Sequence, residues 1–354
     1  MKKNVLYLVT GLLALTSCSQ DETTAMDNGG NIKFRPAVSN VTRGTITTIT
    51  SMNGFKVSAF VDGSASNYFT DQLVNKNGSG WEMKSIYYWP GASTLKFYAY
   101  APTDLANVTI NPTVQGINNF SPAAKVAQQK DVVMAYATGT KAANEKAGVE
   151  LNFKHILSQI EVKAQSANTT DYEVEVLGVK LGQIPSAANF TFPTSWTTPG
   201  MMKSYGINVD KSLKLTGTAQ NITKSNFLMI PQKLSAWNKT SNTNGVYIGV
   251  LCKISHKSGG NMVQVYPPKA GKYAYAIVPV DTQWMSGKKY IYTLNFFKNG
   301  GAGVIDPNPE DPDDPNNPNV DPEPGPGGEP VMGGAIKFTV KVEDWVAQPT
   351  DVNL

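Results

Sequence analysis

Residues 94–102 read TLKFYAYAP, and their alternation decides the fold class. Leu95, Phe97 and Ala99 fall on one side of an extended chain, and Lys96, Tyr98 and Tyr100 on the other, because successive strand side chains point to opposite faces. Similar runs flank it: GFKVSAFVDG (54–63) ends in a turn signal, and VVMAYATG (132–139) is another strand candidate. KAANEKAG (141–148) reads as a loop, and VELNFKHILSQIEVKAQ (149–165) as one long strand or two with a bend. YEVEVLGVKLG (172–182) sets Val174 and Val176, then Val179 and Leu181, in alternation, and Gly178 between them signals a bulge. NITKSNFLMIPQKL (221–234), VYIGVLCKI (246–254), YAYAIVPV (273–280) and KKYIYTLNFF (288–297) complete the series. Short strands at this spacing predict β-sandwiches with Greek-key links.

The 354 residues suffice for two domains, and a 41 % apolar, 16 % charged composition allows a real core. The net charge of +4 hides an asymmetry. Residues 306–330 hold eight acids (Asp306, Glu310, Asp311, Asp313, Asp314, Asp321, Glu323, Glu329) and no base, leaving 31 bases against 19 acids elsewhere. Those lysines are scattered rather than clustered, and the N-terminus marks an exported protein, so nucleic acid is not an expected partner.

MKKNVLYLVTGLLALTSC opens with Lys2 and Lys3, an apolar stretch from Val5 to Leu15, and small residues before Cys18. The run is too short to span a bilayer and reads as a signal peptide over 1–18. Small residues before a cysteine resemble the lipobox of bacterial lipoproteins, in which Cys18 would be acylated; several acyl chains give stable membrane attachment. SQDETT after it resembles an acidic signal for the outer face of the outer membrane. Cys252, in a strand-like apolar run, reads as a small buried side chain.

Residues 299–334 carry nine prolines between 307 and 330 beside the acids. Charge repulsion and polyproline II preference predict a disordered, extended linker. It lacks the spacing, glycine and terminal Glu of an EF-hand, so no metal is expected there. Nor is catalytic chemistry visible. His155 and His256, the only histidines, stand apart, with no HExxH, GxSxG, Walker A or dinucleotide motif. His155 reads as a packed or hydrogen-bonded structural residue. No catalytic residue and no cofactor are assigned.

Arg35 and Arg43 are the only arginines, against 29 lysines. Either lysine-rich usage left few arginines, or an arginine-specific protease could cut at Arg43–Gly44 and leave everything downstream intact.

WEMKSIYYWPGASTLKFYAYAP (81–102), VELNFKHILSQIEVKA, FLMIPQKL, YIYTLNF and IKFTVKVEDW together resemble signatures of the fimbrillin family, the type V pilins of the Mfa-like group, from about residue 31 to the end. The resemblance implies an all-β protein of two tandem transthyretin-like β-sandwich domains. It divides the chain into a signal peptide (1–18), a spacer and removable N-terminal strand (19–43), an N-terminal domain (44–148), a C-terminal domain (149–298), the linker (299–334) and a donor segment (335–354). It also implies lipidation at Cys18, cleavage between Arg43 and Gly44, and release of a strand containing Ile32, Phe34 and Val38. The emptied groove would take Ile336, Phe338, Val340 and Val342 of another subunit, with Trp345 extending the donor. The expected partners are other fimbrial subunits, an arginine-specific protease, the outer membrane through the lipid, and host or bacterial surface ligands. The chain departs from the pattern in the length and acidity of its linker.

Parity supports the two strands as competitors. Ile32, Phe34, Pro36 and Val38 share one face of NIKFRPAV, and Ile336, Phe338, Val340 and Val342 one face of IKFTVKV. Pro36 has no N–H for a ladder bond, while valine stands at the matching place in the second strand. The rival reading is a surface lipoprotein that binds glycans on an exposed platform of Trp81, Trp89, Trp196, Trp237 and Trp284.

Overall fold

A computed structural model describes residues 30–38, 49, 51–78 and 80–345. The described chain is nearly all β, with a single helical turn at Lys141–Asn144 and a 3-10 turn at Val126–Gln128. That helical turn falls where the sequence predicted a loop, and Thr140 caps it by accepting a hydrogen bond from the Ala143 N–H.

Seven strands form the first sheet: β1 (Phe34–Val38), β2 (Gly54–Val61), β3 (Asn67–Asn77), β4 (Gly80–Met83), β5 (Leu95–Ala101), β6 (Val133–Gly139) and β7 (Val149–His155). Their order is β1-β7-β6-β5-β2-β3-β4. The TLKFYAYAP stretch is the central β5, and its two faces serve two cores. Leu95, Phe97 and Ala99 pack with Phe34, Phe55, Val57, Leu151 and Phe153, while Tyr98 and Tyr100 join a separate cluster with Ile156, Phe190 and Trp345. Both faces of β5 are therefore buried, which explains an alternation of apolar with tyrosine rather than with charge. The strand beginning at Val149, which the sequence division assigns to the second half, belongs to this first sheet. The bend at Ile156–Leu157 is where the chain leaves it.

The following strands are β8 (Ser158–Ser166), β9 (Tyr172–Thr191), β10 (Gly200–Lys214), β11 (Tyr247–Ser258), β12 (Ala274–Pro279), β13 (Lys288–Phe296), β14 (Val304–Ile305) and β15 (Lys337–Asp344). β8, β13 and β15 run side by side in a five-stranded sheet, with β15 at its edge. β14, β12, β11 and β9 lie in a nine-stranded sheet, and β10 pairs β9. One core draws on both sheets: Ile160, Val162, Tyr292 and Leu294 from the first, Val174, Val250 and Ala276 from the second. The bulge predicted at Gly178 is present, as a register shift between Val176 and Gly178. Cys252 is buried there, and burial pushes its thiol up to about 12, which keeps it unreactive near neutral pH.

Residues 299–334 are not the disordered linker that composition predicts. β14 pairs β12, with Ala276 opposite Ile305. The chain then loops out and comes back alongside its own start. The Ile305 N–H donates to Glu329 O (2.8 Å), Val331 N–H to Gly303 O (2.9 Å) and Gly303 N–H to Gly334 O (2.9 Å). Thirty-one residues of chain thus give almost no net displacement.

The physical reason is local. Asp306, Asp311, Asp314, Asn317 and Asp321 each precede a proline, and each side-chain oxygen accepts the backbone N–H two residues on. Proline fixes φ while the Asx oxygen closes the turn, so a repeated Asx-Pro-X unit loses little entropy on ordering. Asp306, Asp311 and Asp321 are buried against the nine-stranded sheet.

Candidate functional site

The segment just before β1 is fastened to the segment after β4, at the opposite edge of the first sheet. Ile32 N–H donates to Tyr87 O (2.8 Å), Asn31 bridges to Tyr88, and β1 continues into parallel pairing with β7. Phe34, Pro36 and Val38 stand opposite Val149, Leu151 and Phe153. Ile32, Phe34 and Val38 are buried, with Pro36 half-buried, as the shared-face reading requires. The Phe34 ring meets Phe97 edge-on at 5.5 Å and Phe55 at 6.1 Å, geometry that favours aromatic pairs. Pro36 is tolerated because its nitrogen lies on the edge of β1 that faces away from β7, where the ladder needs no N–H.

Beside β1 the seam stays open. A cavity of about 590 Å³ lies between Asn31–Phe34 and Gly80–Ile86, with Trp81 and Met83 in its wall. Ile86 at its rim is 64 % exposed.

The C-terminal strand is docked on its own chain. β15 runs antiparallel to β13, with Phe338 opposite Leu294, Val340 opposite Tyr292 and Val342 opposite Tyr290. The residues flanking it are buried and the strand itself mostly is not. Ile336 and Trp345 are each 2 % exposed, Phe338 is half-buried, and Val340 and Val342 are 38 % and 50 % exposed. An edge strand with exposed valines is ready for pairing and offers unburied apolar surface.

Trp345 closes that strand. Its ring stacks on His155 at 4.3 Å and 10°, and its backbone N–H donates to Gly287 O (2.8 Å). His155 Nδ1 lies 2.9 Å from Asp131 Oδ2, with both side chains buried. The histidine is thus packed and paired, the structural arrangement expected of it.

The acidic segment is fastened by Lys180 of β9. Its Nζ lies 2.5 Å from Asp306 Oδ2 and donates to Asn308 O (2.6 Å) and Glu310 O (3.0 Å). It also sits 4.0 Å from the centroid of the Tyr275 ring, a favourable cation–π position. Burial lowers the Lys180 ammonium and raises the Asp306 carboxyl, each toward its neutral form, and their mutual attraction opposes both shifts. Next to them, Asp311 accepts from Tyr275 OH (3.2 Å), Asn208 Nδ2 (2.8 Å) and Asn317 Nδ2 (2.9 Å). Among the described residues no group of His, Cys, Asp or Glu is placed to hold a metal.

Sequence reasoning did not find this clamp. The one available signal is that Lys180 alternates with the core residues Val179 and Leu181, so it faces away from them toward whatever covers the sheet.

Cys18, Arg43 and Gly44 lie outside the described residues. The tryptophans form no platform: Trp89, Trp237 and Trp284 are buried, Trp81 packs on Phe55 at 5.5 Å and Trp196 on Phe190 at 5.1 Å.

A family model, fimbrillin-like, matches residues 42–308, which leaves out β1 and β15. A fimbrial protein from Bacteroides vulgatus is similar with a TM-score of 0.58 at 14 % identity, over 90 % of this chain and 100 % of its own. A candidate cell adhesion protein from Parabacteroides distasonis is similar with a TM-score of 0.51 at 10 % identity, over 90 % and 96 %. At these identities the likeness is one of fold. No curated protein matches the chain.

Proposed function

The chain belongs to the fimbrillin-like family, and on that premise we propose that it is a non-catalytic surface subunit of an adhesive fimbria, joined to its neighbours by strand exchange. In this reading it is exported as a lipoprotein through Cys18, held at the outer membrane, and cut after Arg43 by an arginine-specific protease. β1 then leaves its place beside β7, and the C-terminal strand of another subunit takes it.

The observation that carries the reading is the mismatch between the two edges. β1 buries its apolar face, while β15, with the same Ile-Lys-Phe start, leaves Val340 and Val342 exposed. Moving β15 into a groove like that of β1 would bury both valines. Full burial of a valine contributes about 1.5–3 kcal/mol, so two half-exposed ones give somewhat less than that each. Pro36 adds nothing to that difference: the Lys33 carbonyl takes the Val149 N–H, so in this parallel register the bonds to β7 come from residues 33, 35 and 37, and the Pro36 nitrogen faces away from β7. Before cleavage, the covalent link keeps β1 at high effective concentration and the exchange is blocked. After cleavage, β1 is held only by its side chains and its ladder, and a longer strand can displace it.

The test is N-terminal sequencing of protein from the cell surface, together with Arg43→Ala. The expected start is Gly44, and the variant is expected to remain monomeric. Undiminished SDS-resistant ladders in the Arg43→Ala strain would overturn the reading.

A further inference from the structure

We propose that the acidic segment stays fastened to its own subunit during exchange, that only the chain beyond a Gly333–Gly334 hinge travels, and that Trp345 on His155 is the catch that holds the strand home. The proposal rests on the assembly reading above.

The hinge follows from backbone and space. Gly333 and Gly334 have φ of +64° and +130°, conformations that side chains disfavour. A Cβ at Gly333 would lie 2.2 Å from Gly300 O, whereas one at Gly334 would meet nothing within 4 Å. One glycine is therefore seated tightly against the body, and the next has free space in which to turn.

What precedes the hinge is fixed. Residues 302–306 are paired with 328–334 and with β12, and the loop between them is clamped at Lys180. Freeing β15 breaks its ladder with β13 and exposes Ile336, Phe338 and Trp345; freeing the preceding segment as well would add a buried ion pair and several matched backbone groups to that cost. The cheaper opening is the strand alone. From Ala335 to Trp345 it spans about 35 Å at roughly 3.3 Å per residue. A free tail from residue 299 would reach several times farther. The neighbouring groove must accordingly sit within about 35 Å of Gly334, which sets an upper limit on the subunit spacing.

The catch is suited to release. Trp345 supplies a stacked ring and one backbone bond, but its indole N–H is buried without an acceptor. A buried unpaired donor weakens its own site. A groove that supplied an acceptor would compete well for the same ring.

Hydrogen exchange read by mass spectrometry on the full-chain monomer separates the parts. In Trp345→Ala, amides of 337–344 are expected to exchange at least tenfold faster, with Trp345→Phe intermediate because it keeps a stacking ring. Residues 303–306 and 328–331 are expected to keep wild-type protection. Unchanged exchange in 337–344 would remove the catch, and joint opening of 303–344 would remove the hinge. In assembled material, loss of protection at 303–306 and 328–331 would show the segment travelling and overturn the proposal. If cleaved protein forms no oligomer at all, the assembly reading falls along with delivery to a neighbour, while the monomer measurements still decide hinge and catch.

Discussion

Lys180→Ala is expected to destabilise the protein by about 3–5 kcal/mol and to free residues 306–328, because it leaves a buried carboxylate without its partner. The side chains of Lys180 and Asp306 are 1 % and 0 % exposed, so neither charge can be rescued by water in place. Asn308 O and Glu310 O lose their donor as well. Differential scanning calorimetry should show the shift, and limited proteolysis should cut first within 306–328. A double change, Lys180→Met with Asp306→Leu, should recover much of the loss, since it removes both charges instead of stranding one. A single variant that melts with the wild type and resists proteolysis would mean that the clamp holds nothing. A double variant as unstable as the single one would place the cost in lost packing rather than in the unpaired charge.

The clamp marks where the sequence was legible and where it was not. Strands buried on at least one face announced themselves. β2, β5, β6, β11, β12 and β13 fall on the apolar runs from which they were read. β3 (NYFTDQLVNKN) and β10 (GMMKSYGINVDKSLK) did not. Both mix charges and amides into half-exposed positions, and their ladders hold them where their own composition does not. The acidic segment misled because composition averages over positions. Eight acids and nine prolines predict repulsion and extension, yet the spacing Asx-Pro-X, repeated five times, is a turn signal in its own right. No local feature announces that its cation would come from Lys180, well over a hundred residues earlier. Long-range charge pairing is a property of the fold, as is the position of β7 in the first sheet. At the two edge strands, parity was readable from the Ile-Lys-Phe triplets, but burial was not: the first strand buries Ile32, Phe34 and Val38, whereas around the second only the flanking Ile336 and Trp345 are buried.

That difference sets up the other large expected effect. Thr293 of β13 and Thr339 of β15 stand directly opposite each other, and opposed residues of an antiparallel pair bring their Cβ atoms close to disulfide range. Thr293→Cys with Thr339→Cys should therefore pin β15 to its own subunit when oxidised. Cys252 will not interfere, since it is fully buried and its thiol is pushed up to about 12. Oxidised protein, cut after Arg43, is expected to form no ladder above monomer, and reduction should restore assembly to the wild-type level. Each single variant should assemble normally, which separates the crosslink from the substitutions. The comparison is sharp because the disulfide alters no groove, no cleavage site and no surface charge; it only denies the strand its exit. Full assembly by the oxidised double variant would mean that β15 never leaves β13. The strand that fills a neighbour's groove would then have to come from another part of the chain, and the exposed valines would need a different partner.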